Sequence, residues 1–191
     1  MILPRSFYAR DTVKVARSLP GNVLVRVSGK VIMRGRIVEV EAYRGLDDPA
    51  SHAFRGQTPR NAPMFSEPGH AYVYFTYGNH YCLNVTTQKI GTPGAVLIRA
   101  VEPLQGLRTM KRLRPNVEDL NLTSGPGKLT KALGIDLSLN KVDMTERGPL
   151  YIEESKEGRF RLERSPRVGI GQGAERLWRF YVAASPYVSK R

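Results

Sequence analysis

The chain has 191 residues, enough for one domain of ordinary size with a substantial hydrophobic core. Its composition, 41% hydrophobic and 25% charged, is that of a globular protein and excludes a largely disordered chain. Thirty Lys and Arg against 17 Asp and Glu give a net charge of +13, which favours a polyanionic partner such as nucleic acid.

Targeting signals and disulfides are also excluded. No apolar run approaches the roughly 20 residues that a membrane-spanning helix needs. The N-terminal stretch is interrupted by Pro4 and Arg5, so it lacks the apolar segment of a signal peptide. Cys82 is the single cysteine, so the chain can form no internal disulfide. The three histidines lack the spacing of metal ligands. The sequence therefore predicts an intracellular protein with no metal site and no membrane contact.

The first predicted elements are a helix and two strands. The helix covers SFYARDTVKVARSLPG, with Ser6 as its cap and Pro20 and Gly21 at its end. The strands lie in NVLVRV and KVIMRGRIVEVEAY, where β-branched residues alternate with others. Residues 44–70 are rich in Gly, Pro, Asp and Asn and predict a long loop, and loops of this length are usually functional.

The second strand also contains two candidate catalytic carboxylates. Alternation places Val38 and Val40 on one face and Glu39, Glu41 and Tyr43 on the other. One interpretation is that the glutamates are simply solvated. Because this face ends in an aromatic ring and leads into a loop with a histidine, the other interpretation is a general base beside a pocket.

The next stretch, AYVYFTYGNHYCLN, has four tyrosines in fourteen positions. Two strand-like runs flank Gly78 and Asn79, which predicts a β-hairpin with a two-residue turn. Tyr72 and Tyr74 then share a face, whereas Tyr77 projects from the hairpin tip, where few neighbours can bury it. The alternative is that all four tyrosines pack on a sheet, since tyrosine is a favoured strand residue.

The remaining segments complete the predicted fold. PGAVLIRAVEP predicts a buried strand, LQGLRTMKRLR and KLTKALGI predict helices, and RLWRFYVAA predicts a late strand. Helices occur among the strands without regular βαβ alternation. The sequence therefore predicts a mixed α/β (α+β) fold, a single domain over residues 1–191 around a curved antiparallel sheet with a protruding β-hairpin.

The charge is unevenly distributed. Residues 39–102 contain five basic and six acidic side chains, whereas the rest of the chain contains 25 and 11. This pattern predicts a nearly neutral site framed by phosphate contacts. Gly127 and Lys128 are candidate phosphate contacts, because a Gly-rich turn that opens a helix directs backbone N–H groups outward. Leu122 and Leu129 stand where a P-loop requires Gly and Ser or Thr, which excludes nucleotide hydrolysis by that motif.

These segments resemble a known family. RIVEVEAYRGLDDPASHAFRGQTPRNAPMF followed by AYVYFTYGNHYCLNV closely resembles the alkyladenine (3-methyladenine) DNA glycosylases. VLIRAVEPLQGL, SGPGKL, RVGIG and RFYVAASPYVS extend the resemblance over residues 20–188. It implies a monofunctional hydrolase of base-excision repair that needs no cofactor. A monomer is the default expectation for a chain of this kind. Such an enzyme flips alkylated or deaminated purines (3-methyladenine, 7-methylguanine or hypoxanthine) out of double-stranded DNA and hydrolyses the N-glycosidic bond, leaving an abasic site.

The resemblance also implies the residues of the reaction. Glu41 corresponds to the general base that activates the attacking water, and Arg99 and the backbone carbonyl of Val168 would help to hold that water. Tyr77 corresponds to the ring that enters the minor groove and fills the space left by the flipped base. This role would explain one of the clustered tyrosines.

Five further residues correspond to the pocket for the flipped base. Tyr43, His52 and Tyr74 would stack around the base, and Ala50 and His52 would read the edge of the purine. Asn84 would exclude the exocyclic amino group of normal guanine.

Two alternatives remain open at the level of the sequence. A non-catalytic minor-groove DNA-binding protein would also have basic flanks and an intercalating hairpin, but it would not need Glu41 beside an aromatic pocket. An RNA-modifying enzyme would share the basic and aromatic composition. A repair enzyme would be located with the DNA, in the cytoplasm and nucleoid of a prokaryote or in a eukaryotic nucleus.

Overall fold

The computed structural model describes residues 1–76, 78–155, 157 and 160–189. Within these ranges four α-helices pack against a curled, antiparallel, eight-stranded sheet, which confirms the predicted mixed α/β fold. The helices are α1 (Arg5–Tyr8), α2 (Thr12–Ser18), α3 (Leu107–Leu113) and α4 (Pro126–Leu133). The strands are β1 (Val23–Ser28), β2 (Val31–Arg44), β3 (Ala71–Thr76), β4 (His80–Thr86), β5 (Gly94–Gln105), β6 (Leu150–Glu153), β7 (Leu162–Ser165) and β8 (Arg179–Val182).

Strand β2 is the centre of the sheet. The main path runs β3-β4-β5-β2-β1-β6, and β8 pairs with both β2 and β7. Strand β2 has 14 residues, and those from Arg34 to Arg44 pair with β5 on one side. On the other side the strand pairs first with β1, from Val31 to Arg36, and then, at Glu39–Glu41, with β8. The segment with the two candidate carboxylates therefore lies between two strands.

The pairing of β2 with β5 has three register shifts, and two of them lie beside the candidate carboxylates. Ile37 pairs with Val101 and Glu39 with Ala100, so Val38 is an extra residue on β2. Glu39 and Val40 then pair with Ala100 and Ile98, so the extra residue on β5 is Arg99. The prediction that Val38 shares the core face of Val40 is consequently wrong. Val40 lies in the main core, whereas Val38 packs in a small separate cluster.

The single N-terminal helix of the prediction is two helices. Asp11, and not Ser6, provides the side-chain cap, because its carboxylate accepts hydrogen bonds from the N–H groups of Val13 and Lys14 at 3.0 and 3.1 Å. A capping residue has non-helical backbone angles, so the chain leaves the helical conformation before α2 begins. The predicted end is confirmed, since α2 stops at Ser18, just before Pro20.

The predicted hairpin is confirmed as β3 and β4, with one correction to its turn. Thr76 pairs with His80, so the connection has three positions and not two. Gly78 has φ +71°, a conformation that favours glycine. The predicted wedge, Tyr77, lies outside the described residues.

The predicted strand and helices of the second half are confirmed as β5, α3, α4 and β8. The main core lies between the sheet and helices α2 and α4, with buried residues such as Val15, Ile98 and Leu129. Among the described residues, no helix is long and apolar enough to cross a membrane.

Candidate active site

A cavity of about 220 Å³ lies beside strands β3, β4 and β5. Seven of the residues singled out in the sequence line it: Tyr43, Ala50, His52, Tyr74, Asn84, Arg99 and Val168. A larger cavity of about 670 Å³, beside α2, β7 and β8, contains none of them. The structure therefore brings the predicted pocket residues together at the smaller cavity, from loops and strands that are far apart in the chain.

Glu41 lies directly behind the cavity wall and has no exposed surface. Its Oε1 accepts a hydrogen bond from the backbone N–H of Val168 at 2.7 Å. Its Oε2 accepts hydrogen bonds from the hydroxyl of Tyr43 at 2.8 Å and from Arg99 Nη1 at 3.3 Å. All three donors belong to residues that line the cavity, so a single layer of residues separates the carboxylate from the cavity.

Glu39 is the second buried carboxylate of β2, and it also binds Arg99. Its Oε1 accepts hydrogen bonds from Arg99 Nε, Arg179 Nε and the Ser189 hydroxyl, each at 2.8 Å. Its Oε2 accepts the backbone N–H of Ser189 at 2.6 Å. Arg99 consequently bridges the two glutamates, with Glu39 on Nε and Glu41 on Nη1.

This network controls the charge states of its members. Burial by itself would raise the pKa of Glu39, but Arg99, the Ser189 N–H and Arg179 outweigh burial and lower it. Burial by itself would lower the pKa of Arg99, but Glu41 and Glu39 outweigh burial and raise it. Glu39 and Arg99 therefore remain charged around neutral pH.

Three aromatic rings form another part of the cavity wall. His52 Nδ1 lies 2.8 Å from the hydroxyl of Tyr72, and the His52 and Tyr74 rings meet edge to face at 4.7 Å. The guanidinium of Arg60 lies 5.1 Å from the centre of the Tyr74 ring. Desolvation lowers the pKa of His52, and the charge of Arg60 lowers it further. Burial raises the pKa of Tyr72 to about 12. The rings are thus neutral surfaces against which a flat molecule can stack.

Asn84 and Ala50 already use some of their hydrogen-bonding groups within the protein. The buried Asn84 donates from Nδ2 to the backbone oxygen of Tyr72 at 3.0 Å, which fixes the orientation of its amide. The N–H of Ala50 donates to Asp48 Oδ1 at 3.2 Å. Any contact from Ala50 to a purine would therefore use an atom other than this N–H.

Cys82 also lines the cavity, beside Tyr74. Burial raises the pKa of its thiol, which keeps the thiol protonated around neutral pH. Within the described ranges, no three His, Cys, Asp or Glu side chains are grouped closely enough to hold a metal ion.

The predicted phosphate contacts lie at the start of α4. Pro126 lines the cavity, and Gly127 packs against the hairpin so closely that a Cβ there would lie 2.7 Å from His80 Cγ. Lys128 Nζ donates to Asn121 Oδ1 at 3.2 Å. The beginning of this helix is therefore placed between the cavity and the end of the hairpin, while its contact with phosphate stays a prediction.

Sequence reasoning missed four residues that support the site. Asp48 and Arg167 form a buried ion pair, and Arg179 and Ser189 contact Glu39. No local pattern distinguishes Arg167 or Ser189 from surface residues, because their partners are 119 and 150 positions away. Asp48 offered a weak signal, since an aspartate within a Gly- and Pro-rich loop is often used to bind backbone N–H groups.

The chain is similar in sequence to a family of known proteins. The sequence model of the family described as Methylpurine-DNA glycosylase (MPG) matches residues 6–186. A protein of Carboxydothermus hydrogenoformans is 49% identical over 192 residues, covering 100% of both chains. A protein of Methanocella arvoryzae is 48% identical over 196 residues, covering 100% of this chain and 96% of its own. One from Clostridium tetani is 43% identical over 203 residues, covering 100% of both. All three carry the name "Putative 3-methyladenine DNA glycosylase".

Proposed function

This chain belongs to the methylpurine-DNA glycosylase family, and we propose that it releases alkylated or deaminated purines from duplex DNA with a water activated by Glu41. Family membership makes it a DNA glycosylase of the 3-methyladenine type, which is a hydrolase of DNA repair. The observation that carries the finer proposal is the position of Glu41, whose carboxylate is hydrogen-bonded to three residues of one aromatic cavity.

The cavity suits a purine turned out of the helix. A base inside a duplex is inaccessible to a water and a carboxylate, so the enzyme must first extrude it, at a cost of a few kcal/mol. Stacking on aromatic side chains contributes about 1–3 kcal/mol per base and offsets this cost. Purines alkylated at N3 or N7 are positively charged, and the faces of Tyr43 and Tyr74 attract cations.

The proposed reaction is hydrolysis at C1′ of the deoxyribose. The oxygen of a water forms a bond to C1′, and Glu41 accepts a proton from that water. The N-glycosidic bond breaks, and its electron pair goes to the purine, where it neutralises the charge of an alkylated base. Arg99 and the backbone carbonyl of Val168 would hold the water. Because Glu41 has no exposed surface, the water reaches the carboxylate only when Tyr43 or Val168 shifts slightly on substrate binding.

The charge of the leaving base determines which lesions react fastest. An alkylated purine leaves as a neutral molecule, whereas hypoxanthine has to gain a proton during the reaction. We therefore expect methylated purines to be released faster than hypoxanthine by this site.

The rest of the DNA contact follows the same proposal. Tyr77 would fill the gap in the base stack, and Gly127 and Lys128 would contact phosphates close to the flipped nucleotide. The partner is double-stranded DNA bound by one copy of the chain, without a cofactor. Its place is with the DNA inside the cell.

The test is base release from duplexes that contain methylated purines or a single hypoxanthine. The Glu41→Gln variant should lose release of both while it still binds DNA with an abasic site. Glu118→Gln is the matched control, because Glu118 is exposed, and it should release bases at the parent rate. Normal release by Glu41→Gln would contradict the role of Glu41. Release from RNA alone would contradict DNA repair, and DNA binding without any release would indicate a non-catalytic DNA-binding protein.

A further inference from the structure

A buried ion pair connects two of the segments that form the cavity. Asp48 lies in the loop that continues to Ala50 and His52, and Arg167 directly precedes Val168. Arg167 Nη1 is 2.5 Å from Asp48 Oδ2, and Arg167 Nη2 is 2.7 Å from Asp48 Oδ1. Neither side chain has any exposed surface. The pair therefore holds the two segments together in a fixed, two-bonded geometry.

Arg167 makes further contacts that reach the strand with the proposed general base. Its Nη1 also donates to the backbone oxygen of Ala42 at 2.9 Å. Its guanidinium lies 4.8 Å from the ring centre of Tyr43 and 5.3 Å from that of Trp178. The Tyr43 ring is thus held on one side by Arg167, which limits where the Tyr43 hydroxyl can point.

Asp48 organises the other segment. Its Oδ1 accepts the N–H of Ala50 at 3.2 Å, and its Oδ2 accepts the N–H of Arg44 at 3.1 Å. The same carboxylate therefore shapes the turn after β2 and orients Arg167. A residue at position 48 without a negative charge would leave a buried guanidinium unpaired.

Two of the three donors to Glu41 depend on this arrangement. The N–H of Val168, which follows Arg167 in the chain, donates to Glu41 Oε1 at 2.7 Å. The hydroxyl of Tyr43, whose ring contacts Arg167, donates to Glu41 Oε2 at 2.8 Å. The third donor, Arg99, comes from β5 and is held independently by Glu39.

We propose that Arg167, held by Asp48, is a positioning residue for bond cleavage, which places the Val168 N–H and the Tyr43 hydroxyl on Glu41. This inference rests on the proposed role of Glu41. Neither charged group touches the bound base or the DNA, since both are fully buried. Loss of the pair therefore slows base release while the affinity for DNA without a base in the pocket is retained.

The experiment compares Arg167→Lys with Arg36→Lys. Arg36 is a matched control, because it also forms ion pairs, with Glu102 and Glu157, and also stacks on a ring, that of Phe160 at 5.4 Å, but it does not line the cavity. Base release from methylated duplex is measured in single turnover with protein in excess. Affinity is measured with a duplex that carries a stable abasic site, and rates are normalised to the protein that binds it.

The expected result is a rate at least tenfold below the parent for Arg167→Lys, with affinity for the abasic duplex changed less than threefold. Arg36→Lys should change both less than threefold. A smaller loss of rate for Arg167→Lys, or an equal loss of rate and affinity, would overturn the inference. A parent that releases no base, or a fully active Glu41→Gln variant, would instead overturn the proposed function.

A second variant covers the case in which Arg167→Lys does not fold. Asp48→Asn combined with Arg167→Met removes both charges, so no unpaired charge remains buried. Cooperative thermal unfolding followed by far-ultraviolet circular dichroism reports whether this variant is folded, since Trp178 contacts Arg167 directly and its emission would change in any case. We again expect a rate at least tenfold below the parent, with affinity for the abasic duplex changed less than threefold. Release at the parent rate would overturn the inference.

Discussion

Replacing Glu39 by glutamine should destabilise the protein by about 3 kcal/mol, since it removes one partner from a buried charge network. The Glu39 carboxylate accepts four hydrogen bonds, from Arg99, Arg179 and twice from Ser189. Breaking a buried ion pair by removing one partner costs about 3–5 kcal/mol. We take the lower end, because glutamine keeps one oxygen as an acceptor, while its amide group would face a donor of Ser189 or an arginine.

The assay is denaturant and thermal unfolding followed by tryptophan emission. In a chain of this size 1 kcal/mol corresponds to about 2–4 °C in Tm, so Glu39→Gln should melt about 6–12 °C below the parent. Glu102→Gln is the control, because Glu102 pairs with Arg36 at a partly exposed site, where such pairs contribute about 0–1 kcal/mol. A loss for Glu39→Gln below about 1 kcal/mol, no larger than that of the control, would refute the reasoning.

Four other results are expected. The pKa of Glu39 is lower in the folded than in the unfolded protein, so its ionised form stabilises the fold fully above the unfolded pKa of about 4.3. This stabilisation is lost as the pH falls through the folded pKa. The difference in unfolding free energy between parent and Glu39→Gln should therefore shrink at acid pH in denaturation series, and a constant difference would contradict this. Asn84→Ala, which loses the hydrogen bond to Tyr72, should release normal guanine detectably in a chromatographic assay, and unchanged discrimination would argue against its role. Tyr77→Ala should bind the abasic product more weakly at unchanged Tm, whereas equal affinity would exclude a wedge. Gly127→Ala places a Cβ against His80 and should weaken binding to the abasic duplex several-fold by displacing the end of the hairpin, which a titration would detect.

Local alternation in the sequence predicts part of the candidate site, and the resemblance to the family supplied the remaining residues. The run from Glu39 to Tyr43 places two carboxylates and a ring on one face of a strand, and Glu41 is indeed hydrogen-bonded to Tyr43. The hairpin likewise puts Tyr72 and Tyr74 on one face, where their rings lie 5.2 Å apart. These features depend on residues two positions apart, and the period of a strand determines them.

The remaining features depend on contacts between distant parts of the chain. The bulges at Val38 and Arg99 arise from the pairing of β2 with β5, and neither strand contains a residue that marks them. The Asp48–Arg167 pair and the Ser189 contact depend on loops that meet only in the folded protein. The helix break at Asp11 could have been predicted, since aspartate is a preferred N-cap, but Ser6 offered an equally acceptable choice.

The position of Glu41 on β2 divides the site into parts of different mobility. Its backbone lies between β5 and β8, in the most extensively paired part of the sheet, whereas Ala50, His52 and Val168 are in loops. Amide hydrogens of paired central strands exchange mainly through global unfolding, and those of loops exchange through local opening. Under the proposed mechanism, we therefore expect the carboxylate of Glu41 to keep its place when loop residues such as His52 are substituted. Such substitutions should alter the choice of lesion without moving Glu41.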